Sequence, residues 1–261
     1  MSNLLLDTAF EKARNSGRKA FIPYVMAGDG GLESLEKKLL FLQEAGVTAI
    51  EIGIPFSDPV ADGPTIQEAG KRALDQGTSL TMVLDYVKGI QQKLEVPLIL
   101  MTYLNPIYQY GVENFASDAK AAGISGVIVP DLPLEQSQLL SSHLKHNSIS
   151  FVQLISLTSP EDRIKKIAAA SEGFLYAVTV NGITGARSTI GEELQGYFKR
   201  IKQYSHTPVL AGFGISTPEH VQTIGELCDG VIVGSKIISL LEEDKYDAIK
   251  KLVQASVYNP S

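Results

Sequence analysis

Tryptophan is absent from the 261-residue sequence, and cysteine occurs once, at Cys228. A single thiol excludes an intrachain disulfide framework and any metal site built from several thiolates. In Glu226-Leu227-Cys228-Asp229, ahead of an apolar run, that cysteine reads as a small buried core residue. Long hydrophobic runs are missing too. No apolar stretch approaches the ~20 residues of a membrane-spanning helix. Leu4-Leu5-Leu6 is cut short by Asp7 and then Glu11, far below the ~7–15 apolar residues of an export signal. The expected compartment is the cytoplasm. Positive charge is in deficit: 23 Lys and Arg stand against 29 Asp and Glu, a formal charge of −6 with no basic run. Nucleic acid therefore has no electrostatic footing here. Of the four histidines, only His143 and His146 are close in sequence, on a surface helix pattern without further donors, so no metal is expected. No nucleophile-elbow motif points to Ser/His/Asp chemistry.

What is present is a regular alternation. Hydrophobic residues make up 44% and charged residues 20%, the composition of an ordinary globular chain rather than a disordered one. Apolar, β-rich runs at 20–25, 48–54, 97–103, 126–130, 150–155, 174–180, 209–213 and 230–233 are eight candidate strands. Between them lie helical patterns such as Leu32, Leu35, Leu39 and Leu42, with Glu33, Glu36, Lys37 and Lys38 on the opposite side. Others begin near Ser79, Val112, Leu134, Pro160, Gly191, Thr217 and Tyr246, and 242–245 reads as a solvated helix junction. Alternating strands and helices give parallel βα units whose strands are covered on both faces. With eight units, ~250 residues and no linker between halves, the expectation is a single domain over 1–261, a (β/α)₈ TIM barrel with extra helices. The long interval between the second and third strands predicts an elaborated loop plus a spare helix, on the face where barrels do chemistry.

The second strand carries a chemical signal. In Thr48-Ala49-Ile50-Glu51-Ile52-Gly53-Ile54, period two separates three isoleucines from Ala49, Glu51 and Gly53. The bulky face suits the surrounding helices, so Glu51 points to the barrel axis. Loss of water there raises a carboxyl pKa and makes a general acid or base. A structural ion pair across the barrel is the alternative. The loop that follows holds Asp58 and Asp62 among three prolines and a glycine, where turn formation and helix capping compete with a catalytic role.

The seventh and eighth strands end in Ala211-Gly212-Phe213-Gly214-Ile215-Ser216 and Val233-Gly234-Ser235-Lys236. Glycine loops at those strand ends expose backbone N–H groups, and a following helix N-terminus favours an anion, so the pair points to a phosphorylated small substrate. Ser216-Thr217-Pro218-Glu219 reads as a capping box. After the sixth strand, 181–189 is a small, polar loop: a candidate lid or an ordinary surface loop.

The run from Glu51 to Gln67, Glu-Ile-Gly-Ile-Pro-Phe-Ser-Asp-Pro-Val-Ala-Asp-Gly-Pro-Thr-Ile-Gln, closely resembles the signature of the tryptophan synthase alpha subunit family. Pro130-Asp131-Leu132-Pro133, Gly182-Ile183-Thr184-Gly185 and Gly212-Phe213-Gly214-Ile215-Ser216 match further family motifs in the same order. The resemblance implies a barrel that cleaves indole-3-glycerol phosphate to indole and glyceraldehyde 3-phosphate. It implies that Glu51 protonates the ring carbon and takes the glyceryl hydroxyl proton, and that Asp62 accepts the indole N–H. Tyr24 and Tyr103 are expected to line the indole slot, with Tyr176 near Glu51. Gly185, Gly214, Gly234 and Ser235 are expected to hold the phosphate, and Thr184 to reach Asp62 when the 181–189 loop closes. The chain itself would carry no cofactor. Its implied partner is a pyridoxal-phosphate beta subunit in an αββα assembly, met by Pro55, Asp58, Asn105, Pro106, Pro133 and Glu135, with indole passed through a tunnel. The lack of tryptophan fits an enzyme needed when tryptophan is scarce.

Four positions depart from the family pattern, the first being Met26, where threonine is usual. Gly30, in Met26-Ala27-Gly28-Asp29-Gly30, replaces a usual proline and predicts a softer loop. Gln136 stands where a second acid is common, and Lys236 where a small residue is usual. Two other readings keep the phosphate loops without the same activity: another phosphate-binding barrel lyase or isomerase, and a non-catalytic activating subunit.

Overall fold

The computed structural model describes residues 4–179, 189–212 and 214–257. Eight parallel strands form a closed barrel in sequence order: β1 Ala20–Met26, β2 Ile50–Gly53, β3 Leu98–Met101, β4 Ile124–Ile128, β5 Ser150–Ser156, β6 Leu175–Val178, β7 Val209–Gly212 and β8 Gly230–Val233. β1 pairs with β8 through Ala20↔Gly230 to Pro23↔Val233, which closes the ring. All eight overlap the expected runs; β4 starts two residues before its run, β1 and β5 end one residue past theirs, and β2, β3, β6 and β7 are shorter than their apolar stretches. At the start of β2 the Thr48 hydroxyl accepts the Phe21 N–H at 3.0 Å, so a side chain supplies the ladder contact there.

The helices, in chain order, begin with α1 Leu4–Asn15, α2 Glu33–Glu44, α3 Pro64–Asp75 and α4 Leu80–Ile90. Next come α5 Leu104–Tyr110, α6 Val112–Ala121, α7 Gln138–His146 and α8 Glu161–Ala170. The last are α9 Thr189–Tyr204, α10 Pro218–Leu227, α11 Ser235–Glu242 and α12 Tyr246–Gln254. α3 is the spare helix. The pattern expected from Leu134 opens as one 3₁₀ turn, Leu134–Gln136, before α7. α1, α5 and α11 have no counterpart in the helical patterns read from sequence. The α10 cap also differs: Thr217, not Ser216, accepts the His220 N–H at 3.2 Å, because Pro218 occupies the first turn and sets the cap one residue later. The 242–245 junction does lie between α11 and α12.

The alternation within strands builds two cores. Outward residues such as Ile50, Ile52, Leu98, Leu100 and Val127 pack beneath the helices. Inward residues Ala20, Ile22, Ala49, Ile99, Ile128, Val152, Leu210 and Ile232 fill the barrel. Leu6 and Phe10 of α1 join this inner core from below, where Phe10 meets Phe174 with ring centroids 5.8 Å apart. The N-terminal helix is thus a plug in the barrel floor, and burying two such side chains is worth roughly 1.5–3 kcal/mol each. At the opposite end α3 and α11 lie over β1, with Ala69, Ala73 and Ile238 packed on Tyr24 and Met26. Cys228 is buried, its thiol donating to the carbonyls of Ile224 and Gly230 at 3.1 and 3.0 Å. No described helix is long and apolar enough to cross a membrane.

Candidate active site

Glu51 faces the barrel interior as the β2 alternation requires, in register with Tyr24 on β1 and Ile99 on β3. It is 1% exposed. Among the described residues it forms no ion pair, and its Oε2 makes no hydrogen bond, so the cross-barrel salt bridge is not what holds it. Burial, and secondarily the charge of Asp62, push its pKa up to about 8. At neutral pH this is a proton-bearing acid.

Asp62 comes from the elaborated loop after β2. Its N–H donates to the Pro59 carbonyl at 3.1 Å, and the Gln67 side-chain amide donates to the Asp62 carbonyl at 2.8 Å. The backbone is therefore tied on both sides. Asp62 does not cap α3; Gly63 stands at that position and gives no side-chain bond. Its carboxylate Oδ2 instead accepts the Tyr103 hydroxyl at 3.1 Å, while Tyr103 accepts the Ala61 N–H at 3.0 Å. Phe56 stacks on Tyr103 at 5.1 Å and 28°. Burial raises the Asp62 pKa to about 6 and the Tyr103 bond pulls against that rise, leaving the group ionised at neutral pH. Two carboxyls from one strand and its loop thus hold opposite protonation states.

Both carboxyls line a cavity of about 260 Å³ at the C-terminal ends of the strands. Tyr24 and Tyr176 line it too, and Ile66, Met101 and Ile232 supply apolar wall. Burial first, then the two nearby carboxyl charges, raise both tyrosine pKa values, so the rings stay neutral. Neither ring would fit without a glycine beside it. A Cβ at Gly53 would lie 1.8 Å from the Tyr24 hydroxyl, and one at Gly212 would lie 2.3 Å from the Tyr176 ring. Sequence reading missed this role. The inward position of Gly53, two residues after Glu51, was its only trace.

Gly214, Gly234 and Ser235 border the same cavity. Gly214 takes φ +76°, a conformation that favours glycine, and Gly234 precedes α11 with Ser235 as its first residue. Tyr103 differs from expectation: it does not line the cavity but sits behind Asp62 as its hydrogen-bond donor. Thr184 and Gly185 lie outside the described residues, as do Phe213 and the 181–188 part of the candidate lid. Of the expected partner-facing residues, Asp58, Asn105, Pro133 and Glu135 are exposed and Pro106 is half-buried; Asp58 lies on the loop after β2, Asn105 and Pro106 in the first turn of α5, and Pro133 and Glu135 at the 3₁₀ turn after β4. Pro55 is buried. Glu135 is ion-paired with Arg163 at 2.7 Å.

The loop expected to be soft is held firmly. Asp29 is buried and accepts a two-pronged contact from Arg72 of α3, Nε to Oδ1 at 2.7 Å and Nη2 to Oδ2 at 3.0 Å. Arg72 also reaches Glu242 at the end of α11, and Lys38 donates to the Asp29 carbonyl. One guanidinium therefore joins three segments of the catalytic face.

Comparison with known proteins adds the following. The family model described as tryptophan synthase alpha chain matches residues 10–260. A tryptophan synthase alpha chain from Bacillus cereus (strain ATCC 10987) is 51% identical over 251 residues, covering 96% of each chain. One from Bacillus thuringiensis subsp. konkukian is 50% identical over the same coverage. Among solved structures, tryptophan synthase subunit alpha from Legionella pneumophila str. Paris superposes with a TM-score of 0.87 at 33% identity, covering 98% of both chains. A structure from Aquifex aeolicus VF5 gives 0.89 at 35% identity, covering 99% of this chain and 100% of the other.

Proposed function

The chain belongs to the tryptophan synthase alpha chain family, and from that premise we propose how its residues divide the work of cleaving indole-3-glycerol phosphate. The reaction is that of a lyase: a retro-aldol cleavage giving indole and glyceraldehyde 3-phosphate. Glu51, protonated, gives its proton to the ring carbon that bears the glyceryl chain. The ring becomes cationic at nitrogen, and Asp62, accepting the indole N–H, stabilises that charge. The Glu51 carboxylate left behind takes the proton of the adjacent glyceryl hydroxyl. The carbon–carbon bond breaks, its electrons restore the aromatic ring, and the hydroxyl carbon becomes the aldehyde. Glu51 ends protonated, ready for another turnover.

Tyr24 and Tyr176 flank the ring as neutral walls. Tyr103 acts on the substrate only through Asp62, as a positioning residue. The phosphate lies toward Gly214, Gly234 and Ser235, with Thr184 and Gly185 assigned to the same ligand by family resemblance. We assign the chain one barrel domain over 1–261 and no cofactor of its own. Its partner is a beta subunit; the pyridoxal phosphate of that subunit, the αββα arrangement and the indole tunnel belong to this proposal. The exposed residues Asp58, Asn105, Pro133 and Glu135, with Pro106, form the docking face, while buried Pro55 stiffens the loop after β2 from within. Cytoplasmic residence is part of the same reading.

The observation that carries the assignment is the pair of carboxyls in one cavity with opposed protonation, Glu51 held as the acid and Asp62 as the anion. The test is indole release from indole-3-glycerol phosphate by the purified chain, alone and with a cognate beta chain. Wild-type turnover that disappears in Glu51→Gln is expected. Turnover surviving that substitution, or none in wild type under either condition, refutes the reading.

A further inference from the structure

One charged residue of the cavity lining has no part in the scheme above. Lys236 is the second residue of α11, half-buried, and borders the cavity beside Gly214, Ser216 and Ser235. It is the one Lys or Arg among the described lining residues, which include two acids. It pairs with neither. Among the described residues it forms no direct ion pair: Glu243 feels its charge at a distance but is bonded to Lys245 at 2.5 Å. Its location is also unfavourable for the helix itself, since a cation in a first turn opposes the macrodipole, and α11 has no acid in that turn to offset it. A positive side chain that lines the cavity and makes no salt bridge with a protein carboxylate is placed to meet an anion brought from outside.

We propose that Lys236 is the charged recognition element for the substrate's phosphate monoester, added to the backbone N–H groups of the glycine loops. The proposal rests on the reading of this cavity as the indole-3-glycerol phosphate site. Its chemistry is simple. The ligand enters a cavity that already holds an ionised carboxylate, so its phosphate dianion is repelled by Asp62, and a helix end with neutral N–H groups offsets only part of that repulsion. An ammonium group at the α11 end supplies a full opposing charge and three donors. Discrimination follows: the site should select phosphorylated over dephosphorylated indole glycerol through one side chain, at the end of the cavity remote from proton transfer.

The test compares wild type with Lys236→Met, Lys236→Ala and Lys236→Arg by titration with glycerol 3-phosphate and, separately, indole, together with steady-state cleavage. Removing the charge should weaken glycerol 3-phosphate binding roughly tenfold, the scale of one charge-assisted hydrogen bond. KM for indole-3-glycerol phosphate should rise in parallel, with the loss carried by KM more than kcat. Indole affinity should move by less than about twofold, and Lys236→Arg should recover most of the phosphate affinity. The gap between wild type and Lys236→Met should also narrow as salt is raised. Equal glycerol 3-phosphate affinity in wild type and Lys236→Met overturns the proposal while leaving the cleavage assignment standing. So does a loss of indole affinity as large as the loss of phosphate affinity. A wild-type chain that neither cleaves indole-3-glycerol phosphate nor binds glycerol 3-phosphate overturns both.

Discussion

The floor and the mouth of this barrel are built from the same alternating strands and come out chemically opposite. At the floor, inward positions are Ala20, Ile22 and Ala49, and α1 seals them with Leu6 and Phe10. At the mouth, inward positions are Tyr24, Glu51 and Tyr176, and the covering helices α3 and α11 leave about 260 Å³ open. The floor is packed with apolar side chains, and its one unbonded buried side-chain atom among the described residues is the neutral Ser150 hydroxyl. The mouth accepts a buried carboxyl with an unbonded oxygen, a cost to stability that only chemistry explains. Stability and activity should therefore separate cleanly along the barrel axis.

The sharpest break in that comparison is Glu51→Gln. Removing the proton donor should lower indole formation by ~10²–10⁴-fold, measured by single-turnover cleavage. The fold should survive and gain stability relative to wild type as pH rises. The sign follows from linkage: Glu51 titrates at about 8 in the folded chain against an ordinary 4.5, so between those values folded wild type binds the extra proton and loses stability with increasing pH. The glutamine variant lacks this loss. Denaturant melts of both proteins at pH 5 and pH 8 read it directly.

Phe10→Ala is the converse experiment. It opens the floor against Phe174 and should cost about 3–5 kcal/mol of unfolding free energy, with kcat per folded molecule nearly retained. A large fall in kcat would mean that floor and mouth are coupled. A smaller effect is expected of Arg72→Ala, which frees Asp29 and Glu242 at the rim. About 1–2 kcal/mol should be lost, and hydrogen exchange should quicken in residues 26–31. Smallest is the pH response. Cleavage needs Asp62 ionised and Glu51 protonated, so kcat/KM should be bell-shaped with flanks near about 6 and about 8. In Asp62→Asn the Glu51 carboxyl, followed by carbon-13 NMR, should titrate below 8 because a like charge is gone.

Legibility followed the same axis. The strands were readable because parallel strands covered on both faces are near-continuous apolar runs, and Glu51 was readable because its isoleucine neighbours fix which way it points. α1 was not, since Leu4-Leu5-Leu6 invites a reading as a short apolar run, and its partner Phe174 lies far along the chain. The service of Gly53 and Gly212 to the two tyrosines was hidden for a similar reason: the ring and its glycine lie on neighbouring strands. Tyr103 was assigned to the indole slot by likeness, whereas its distance to Asp62 gives it a supporting place. The rim loop expected to soften at Gly30 is instead locked through Arg72, a contact between residues 43 positions apart.

The floor plug has a consequence for the making of the protein. α1 is synthesised first, yet the Phe174 ring it packs against follows roughly 160 residues later, or about 8–30 s at typical translation rates. The two ends of the barrel meet later still, where the Lys19 N–H donates to the Ser256 carbonyl at 2.8 Å. Throughout that interval the apolar stripe of α1 has only part of its native surface, the inner residues of β1 to β4, to cover it. The stopper is thus made before the vessel it closes, and it seats fully only once the sixth strand has followed it.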